Sequence, residues 1–265
     1  MEPRSSAAYT VGFSAVVCLV CAVLVSSAAV ALRERQAVNV ELDRKRNVLL
    51  AAGALRAGED VPREEVEARF GSFEIVAVDL RTGEEDPAFE VEGYDATRAL
   101  ADPGASRAAP ANAAQLARLP NHALVYKQLD EDGRLSLLVL PLEGKGLWST
   151  MYGFLALEAD LTTIRGLTYY QHGETPGLGG EVDNPRWRAL WPDREAYDEG
   201  GAVAIEVTRG AAGPARTDPH RVDGLAGATL TSRGVTNMLR FWLGDSGFGP
   251  YLEGLKSRDA NVETP

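Results

Sequence analysis

The chain opens on an apolar run. No charged residue occurs from Ser5 to Leu32, and Val11 to Leu32 is strongly apolar throughout. Twenty-two residues rising about 1.5 Å each cover roughly 30 Å, which predicts one membrane-spanning helix over 11–32 behind a short N-terminal segment, 1–10. Ala29-Val30-Ala31 has the small-x-small form of a signal cleavage site. The run is long for a signal, however, and only Arg4 precedes it as a base, so a retained anchor is the better reading. From Leu32 to Leu55 the pattern changes to Val38, Leu42, Leu49 and Leu50 set among charges, a helix that continues or restarts. Val61-Pro62-Arg63-Glu64-Glu65-Val66 places proline and acids where a helix first turn favours them.

Strand patterns follow. Phe73 to Leu80 reads as a strand stopped by Arg81-Thr82-Gly83. Ala123 to Leu129 and Arg134 to Leu142 flank Asp130-Glu131-Asp132-Gly133, a hairpin signal. Gly153 to Glu158 and Ile164 to Gln171 flank a second turn, and Ala202 to Thr208 reads as a further strand. Near the C-terminus Val235, Met238, Leu239 and Trp242 recur at helical spacing, with Thr231 or Ser232 as the expected N-cap. Reversing strands between helices predict an α+β fold with a largely antiparallel sheet, one domain over 33–265. Ala101 to Pro120 is rich in alanine and proline without a period and reads as a surface insertion or poorly ordered loop.

Composition and charge narrow the functions. The net charge is −11, which repels phosphate backbones and argues against nucleic-acid partners. Both cysteines, Cys18 and Cys21, lie in the apolar run, so the soluble part cannot form a disulfide or hold a thiolate-ligated cluster. His122, His172 and His220 have no zinc spacing, and no metal site is expected. Neither a Rossmann fingerprint nor a P-loop is present, and no nucleophile elbow or H-E-x-x-H motif points to hydrolysis. Electron transfer by such a chain requires an organic cofactor. Arg33, Arg35, Arg44, Lys45 and Arg46 follow the span and by the positive-inside rule favour a cytoplasmic domain, although long domains translocate regardless of charge.

Three stretches carry candidate chemistry. In Asp223-Gly224-Leu225-Ala226-Gly227-Ala228-Thr229-Leu230-Thr231-Ser232, small residues permit close approach to the backbone ahead of a hydroxyl at a helix start, where N–H groups attract anions. The bland reading is a Gly-Ala turn feeding a capped helix. Gly173-Glu174-Thr175-Pro176-Gly177-Leu178-Gly179-Gly180 can lie flat against a planar ring, or be a plain tight turn. In Gly144-Lys145-Gly146-Leu147-Trp148, Lys145 could meet a phosphate and Trp148 could stack; alternatively Lys145 is solvated and Trp148 is core.

The first stretch resembles the flavin-attachment motif Asp-Gly-x-(Ser/Thr)-Gly-Ala-Thr-x-(Ser/Thr) of bacterial membrane redox complexes, with Ala226 where the family usually has a hydroxyl. Taken with the apolar N-terminus, Leu42-Asp43-Arg44-Lys45-Arg46-Asn47-Val48-Leu49, Gly144 to Gly153, Glu174 to Gly179 and Phe241-Trp242-Leu243-Gly244, it has a family likeness. The whole set is similar to the covalent-FMN subunit of the sodium-pumping NADH:quinone oxidoreductase. The Gly-Lys-Gly-Leu-Trp and Phe-Trp-Leu-Gly stretches favour that subunit over the related Rnf-type flavin carrier. The resemblance implies FMN joined through its phosphate to Thr229 by an FMN transferase. Gly227 and Ala228 would allow close approach, and Glu174, Thr175, Gly177 and Leu178 would line the ring or ribityl chain. It further implies a single-pass protein of the inner membrane with a periplasmic FMN-binding domain. Such a protein would pass electrons toward ubiquinone in company with five other subunits, and would not be catalytic alone. A non-redox periplasmic binding or assembly module is the reading from a different class.

Overall fold

The computed structural model describes residues 7–262. Arg4 and the first six positions of the 1–10 segment therefore lie outside the described residues. The chain divides into two compact units, Met1–Asp43 and Arg44–Pro265. Helix α1 (Ala7–Ala51) contains the first unit's described residues and contributes its last turns to the second. Ala7–Arg33 has a mean hydropathy of 2.7, long and apolar enough to cross a membrane. The pattern change after Leu32 is a continuation of the same helix.

The second unit is built on seven antiparallel strands: β1 (Phe73–Asp79), β2 (Glu84–Glu85), β5 (His122–Leu129), β6 (Leu135–Lys145), β7 (Thr150–Glu158), β8 (Thr163–Gln171) and β9 (Arg194–Glu195). They form one sheet in the order β2-β1-β5-β6-β7-β8-β9. The hairpin turn before β6 forms where Asp-Gly chemistry puts it, with Gly133 at φ 77°. One face of the sheet carries Leu138, Leu140, Leu142, Leu155 and Leu157, all buried in the main core beneath helices α5 (Thr229–Leu243) and α6 (Gly249–Val262). The other face receives the end of α1 and helix α2 (Arg63–Phe70). There Phe70 packs edge-on to Tyr126, and the Thr168 hydroxyl donates to the Asn47 carbonyl. Gly166 is required at that contact, because a Cβ would stand 2.5 Å from the Ala51 oxygen.

Three expectations need correction. The Ala101–Pro120 stretch is ordered: helix α3 (Ala96–Ala101) leads into strands β3 (Ser106–Ala108) and β4 (Arg118–Pro120), which pair with each other. Leu119 and Ala114 are fully buried, and the Ala114 carbonyl accepts from Lys145 N–H at 2.9 Å. Two apolar anchors and a few backbone bonds suffice to seat it, a signal too sparse to show as a period. The strand expected over Ala202–Thr208 shrinks to β10 (Glu206–Val207), paired in parallel with β11 (Arg221–Val222). Only its end finds a neighbouring backbone. Helix α5 begins at Thr229, with Ala228 as an N-cap that has no side-chain bond, instead of at Thr231 or Ser232. Those two hydroxyls are drawn into tertiary bonds. The aromatic turn Gly247 to Leu252 starts α6 and is core, with Phe248 fully buried.

Candidate functional site

Three segments meet around one carboxylate. The loop Gly146–Ser149 joins β6 to β7, the segment after β8 carries Glu174 to Gly180, and the turn Gly224–Ala228 feeds α5. Glu174 is buried at 5% exposure. Its Oε1 accepts from the N–H groups of Trp148 (2.9 Å) and Ser149 (3.2 Å), and its Oε2 from Leu147 N–H (3.1 Å) and the Thr231 hydroxyl (2.6 Å). Burial pushes this carboxyl up, but the Thr231 hydroxyl and the three loop N–H groups outweigh it and hold it below the ordinary value of 4.5. An ionised glutamate thus ties the β6–β7 loop to the first turn of α5.

Two glycines make room for it. A Cβ at Gly146 would stand 2.6 Å from Glu174 Oε1, and one at Gly179 would stand 2.5 Å from the Thr231 oxygen. Behind the carboxylate, His172 Nδ1 accepts from Glu174 N–H at 3.2 Å, so the proton sits on Nε2, which meets Asp183 Oδ2 at 2.6 Å. The Ser149 hydroxyl accepts from Gly173 N–H at 2.6 Å, a second clamp between the loops.

Thr175, Pro176, Gly177 and Leu178 form a turn with Gly177 at φ 76° and Leu178 N–H donating to the Thr175 carbonyl. Proline second and a left-handed glycine third are the marks of a type II turn. It presents Leu178 toward the other segment: a Cβ on Gly227, at φ 71°, would come within 2.9 Å of Leu178 Cδ2. Gly227 and Thr229 are exposed, and Ala228 is buried beneath them. Ser232 Oγ accepts from Leu225 N–H at 3.0 Å, which holds the turn against the helix. Among the described residues none accepts from the N–H groups of Thr229, Leu230 or Thr231, so the first turn of α5 offers its donors outward beside the Thr229 hydroxyl.

The surface around that hydroxyl is apolar. Trp148 is 67% exposed, Leu230 51%, Leu178 44% and Leu147 40%; in the second unit only Leu129 is a comparably exposed large apolar side chain among the described residues. Four such residues on three converging segments form a patch a flat apolar body would cover. Trp148 is therefore not a core residue. Lys145 Nζ donates to the Trp148 carbonyl at 3.3 Å, which braces the loop that holds the tryptophan.

All the residues singled out in the sequence fall on these three segments. Sequence reasoning missed Leu147 and Leu230 as part of the patch, and the supports Ser149, His172, Asp183 and Thr231. The pairing of Glu174 with Thr231 spans 57 positions, and nothing local announces it. The two leucines flank named residues and carry the only usable signal, an apolar side chain in a Gly-rich loop. No cluster of histidine, cysteine, aspartate or glutamate suited to a metal ion occurs among the described residues.

Residues 146–244 match the FMN-binding domain family, an interval that begins at the β6–β7 loop and ends just past the last turn of α5. The chain is 46% identical over 98% of its length to the whole of the NqrC protein of the Pseudomonas aeruginosa Na(+)-translocating NADH-quinone reductase. It is 42% identical over 99% of its length to the whole of the Vibrio vulnificus protein of the same name. The crystal structure of Shewanella oneidensis NqrC superposes with a TM-score of 0.73 at 36% identity, covering 81% of this chain and 97% of that one.

Proposed function

Because the chain belongs to the NqrC family of Na(+)-translocating NADH-quinone reductases, we propose that it is that complex's membrane-anchored FMN carrier, with the flavin joined through its phosphate to Thr229. The observation that carries the attachment point is the exposed Thr229 hydroxyl at the start of α5, beside first-turn N–H groups that no described residue uses. A phosphate esterified there would accept from those donors and lie at the positive end of the helix dipole.

The residues present fit the cofactor. The flavin supplies the one-electron chemistry, which the protein tunes and orients. Gly227 keeps the approach to Thr229 open, since a side chain there would meet Leu178. Leu178, Leu147, Leu230 and Trp148 give the ring an apolar bed. Thr175 and Gly177 shape the turn that carries Leu178, and Lys145 braces Trp148. Glu174 acts at one remove: its oxygens are committed to loop N–H groups and to Thr231, so it positions both walls of the bed. A covalent tether suits a carrier facing an open compartment, because a phosphodiester does not dissociate and it fixes the distance over which electrons pass.

In this reading an FMN transferase modifies Thr229, the soluble unit lies in the periplasm of a single-pass inner-membrane protein, and the other five subunits supply the donor and the route toward ubiquinone. The apolar stretch offers no intramembrane charge, so any sodium path belongs to the complex. The periplasmic side rests on the resemblance, against a run of five basic residues after the span. The test is in-gel flavin fluorescence after denaturation, with wild type and Thr229→Ala co-expressed with an FMN transferase. Fluorescence in wild type that Thr229→Ala abolishes is expected. A dark wild-type band beside a labelled control substrate refutes the covalent carrier.

A further inference from the structure

On the side of the sheet that receives the end of α1 lies a second concavity that none of the three segments reaches. It encloses about 120 Å³, and its walls include the rings of Tyr94, Tyr126, Phe154 and Tyr170, with Arg44 and Glu143 among its polar lining. Its polar groups are unusual in having no protein partner. Among the described residues none bonds to the Glu143 carboxyl, the Arg44 guanidinium, or the hydroxyls of Tyr126 and Tyr170. Trp191 Nε1 is the one buried polar side-chain atom sealed without a partner among those residues. The Tyr126 hydroxyl, on a ring only 2% exposed, therefore opens into the cavity. Buried polar groups that converge without partners on an accessible space leave hydrogen bonds to be made by a ligand or by water.

The lining is rich in donors. Arg44 only donates, and the tyrosine hydroxyls can donate. Burial pushes Glu143 up to about 7, so below that pH its carboxyl keeps a proton and donates as well. Stacked aromatic walls, Phe154 on Tyr170 with ring centres 5.1 Å apart and Tyr126 edge-on to Phe154 at 5.8 Å, suit a flat body. Size sets the upper bound. A cavity of about 150 Å³ takes benzene, so about 120 Å³ admits a single ring and excludes a three-ring isoalloxazine.

We propose that this cavity is a second binding site, taking one planar six-membered ring that carries carbonyl acceptors, whose oxygens accept from Arg44, the tyrosine hydroxyls and the Glu143 carboxyl. Quinone headgroups and cyclic imides share this chemistry. The site stands apart from the flavin reading, because none of its lining residues belongs to 146–149, 174–180 or 224–231.

The groups facing Glu143 across the cavity are Arg44 from α1, Tyr94 and Asp95 from the segment before α3, Tyr126 from β5, Tyr152 from β7 and Tyr170 from β8. The tyrosines near it are themselves held above their ordinary values, chiefly by burial, so Glu143 is the group that changes charge near neutrality. Ring affinity is therefore highest below pH 7 and falls as pH rises through it.

The experiment is equilibrium dialysis of the full chain in detergent micelles against tetramethyl-1,4-benzoquinone and, separately, uracil, with empty micelles as blank. The fully substituted quinone resists addition by the two cysteines. One-to-one saturable binding of either ring is expected, at least threefold tighter at pH 6 than at pH 8. Binding by the quinone alone or by uracil alone identifies the source. Tyr170→Phe keeps the ring and should weaken binding at least fivefold, and Glu143→Gln should flatten the pH dependence. No saturable binding of either ring, or binding indifferent to both substitutions, overturns the proposal. Binding of tetramethylammonium that strengthens as pH rises would also overturn it, since that is the behaviour of a caged cation.

Discussion

At the scale of single residues, the site depends on charge held in a small space. Glu174 accepts one hydroxyl and three backbone N–H groups, so Glu174→Ala leaves buried donors unpaired and should cost roughly 3 kcal/mol in urea unfolding. Its pH dependence follows from the direction of its shift. A carboxyl held below its unfolded value contributes stability that is full above 4.5 and is lost as pH falls through its lower folded value. Acid titration of unfolding should therefore show a limb below pH 4.5 that Glu174→Gln reduces, and a limb unchanged in that variant would contradict the assignment. Gly146→Ala tests the same pocket by volume: its methyl would stand 2.6 Å from the carboxylate, and a loss of about 1–3 kcal/mol is expected. Thr229 behaves differently. Its exposed hydroxyl bonds to no described residue, so Thr229→Ala should leave the melting temperature of the flavin-free chain within a degree or two while removing the attachment point.

Elements show how much of the fold was legible in the sequence. The hairpins β5–β6 and β7–β8 and the strand β1 declared themselves through alternation and turn residues, and their ends agree with expectation to within about three positions. Helix α5 was legible in Val235, Met238, Leu239 and Trp242, all buried, but its start was not. Thr231 and Ser232 look like caps locally, yet Glu174 and Leu225 claim them from a distance, and a single sequence holds no sign of that competition. The Ala101–Pro120 stretch failed for a related reason: Ala114 and Leu119 anchor it through contacts with no local period. The packing of α5 on β6 is set by Gly234, where a Cβ would stand 2.4 Å from the Lys145 oxygen. Gly234→Ala should push the helix off the strand that leads into the Trp148 loop, and unfolding in urea should show a stability loss of roughly 1–3 kcal/mol.

For the whole molecule, the apolar run and the acidic, cysteine-free remainder set the class before any motif did, and the structure divides near the end of that run into Met1–Asp43 and Arg44–Pro265. The second unit has its own core, and Val48, Leu49 and Ala51 from the end of α1 are fully buried in it. A chain beginning at Arg44 should stay soluble and keep a cooperative melt, whereas one beginning at Gly53 removes those side chains and should melt lower by about ten degrees or more. What the sequence conveyed of the site was the attachment motif and its companion loops. What it did not convey was the carboxylate that draws them together. The most direct test of covalent attachment is tandem mass spectrometry of peptides from the full chain matured with an FMN transferase. The expected result is one FMN, less one water, on Thr229 and on no other residue. An unmodified Thr229, whether the flavin mass sits on Thr231 or is missing, would contradict it.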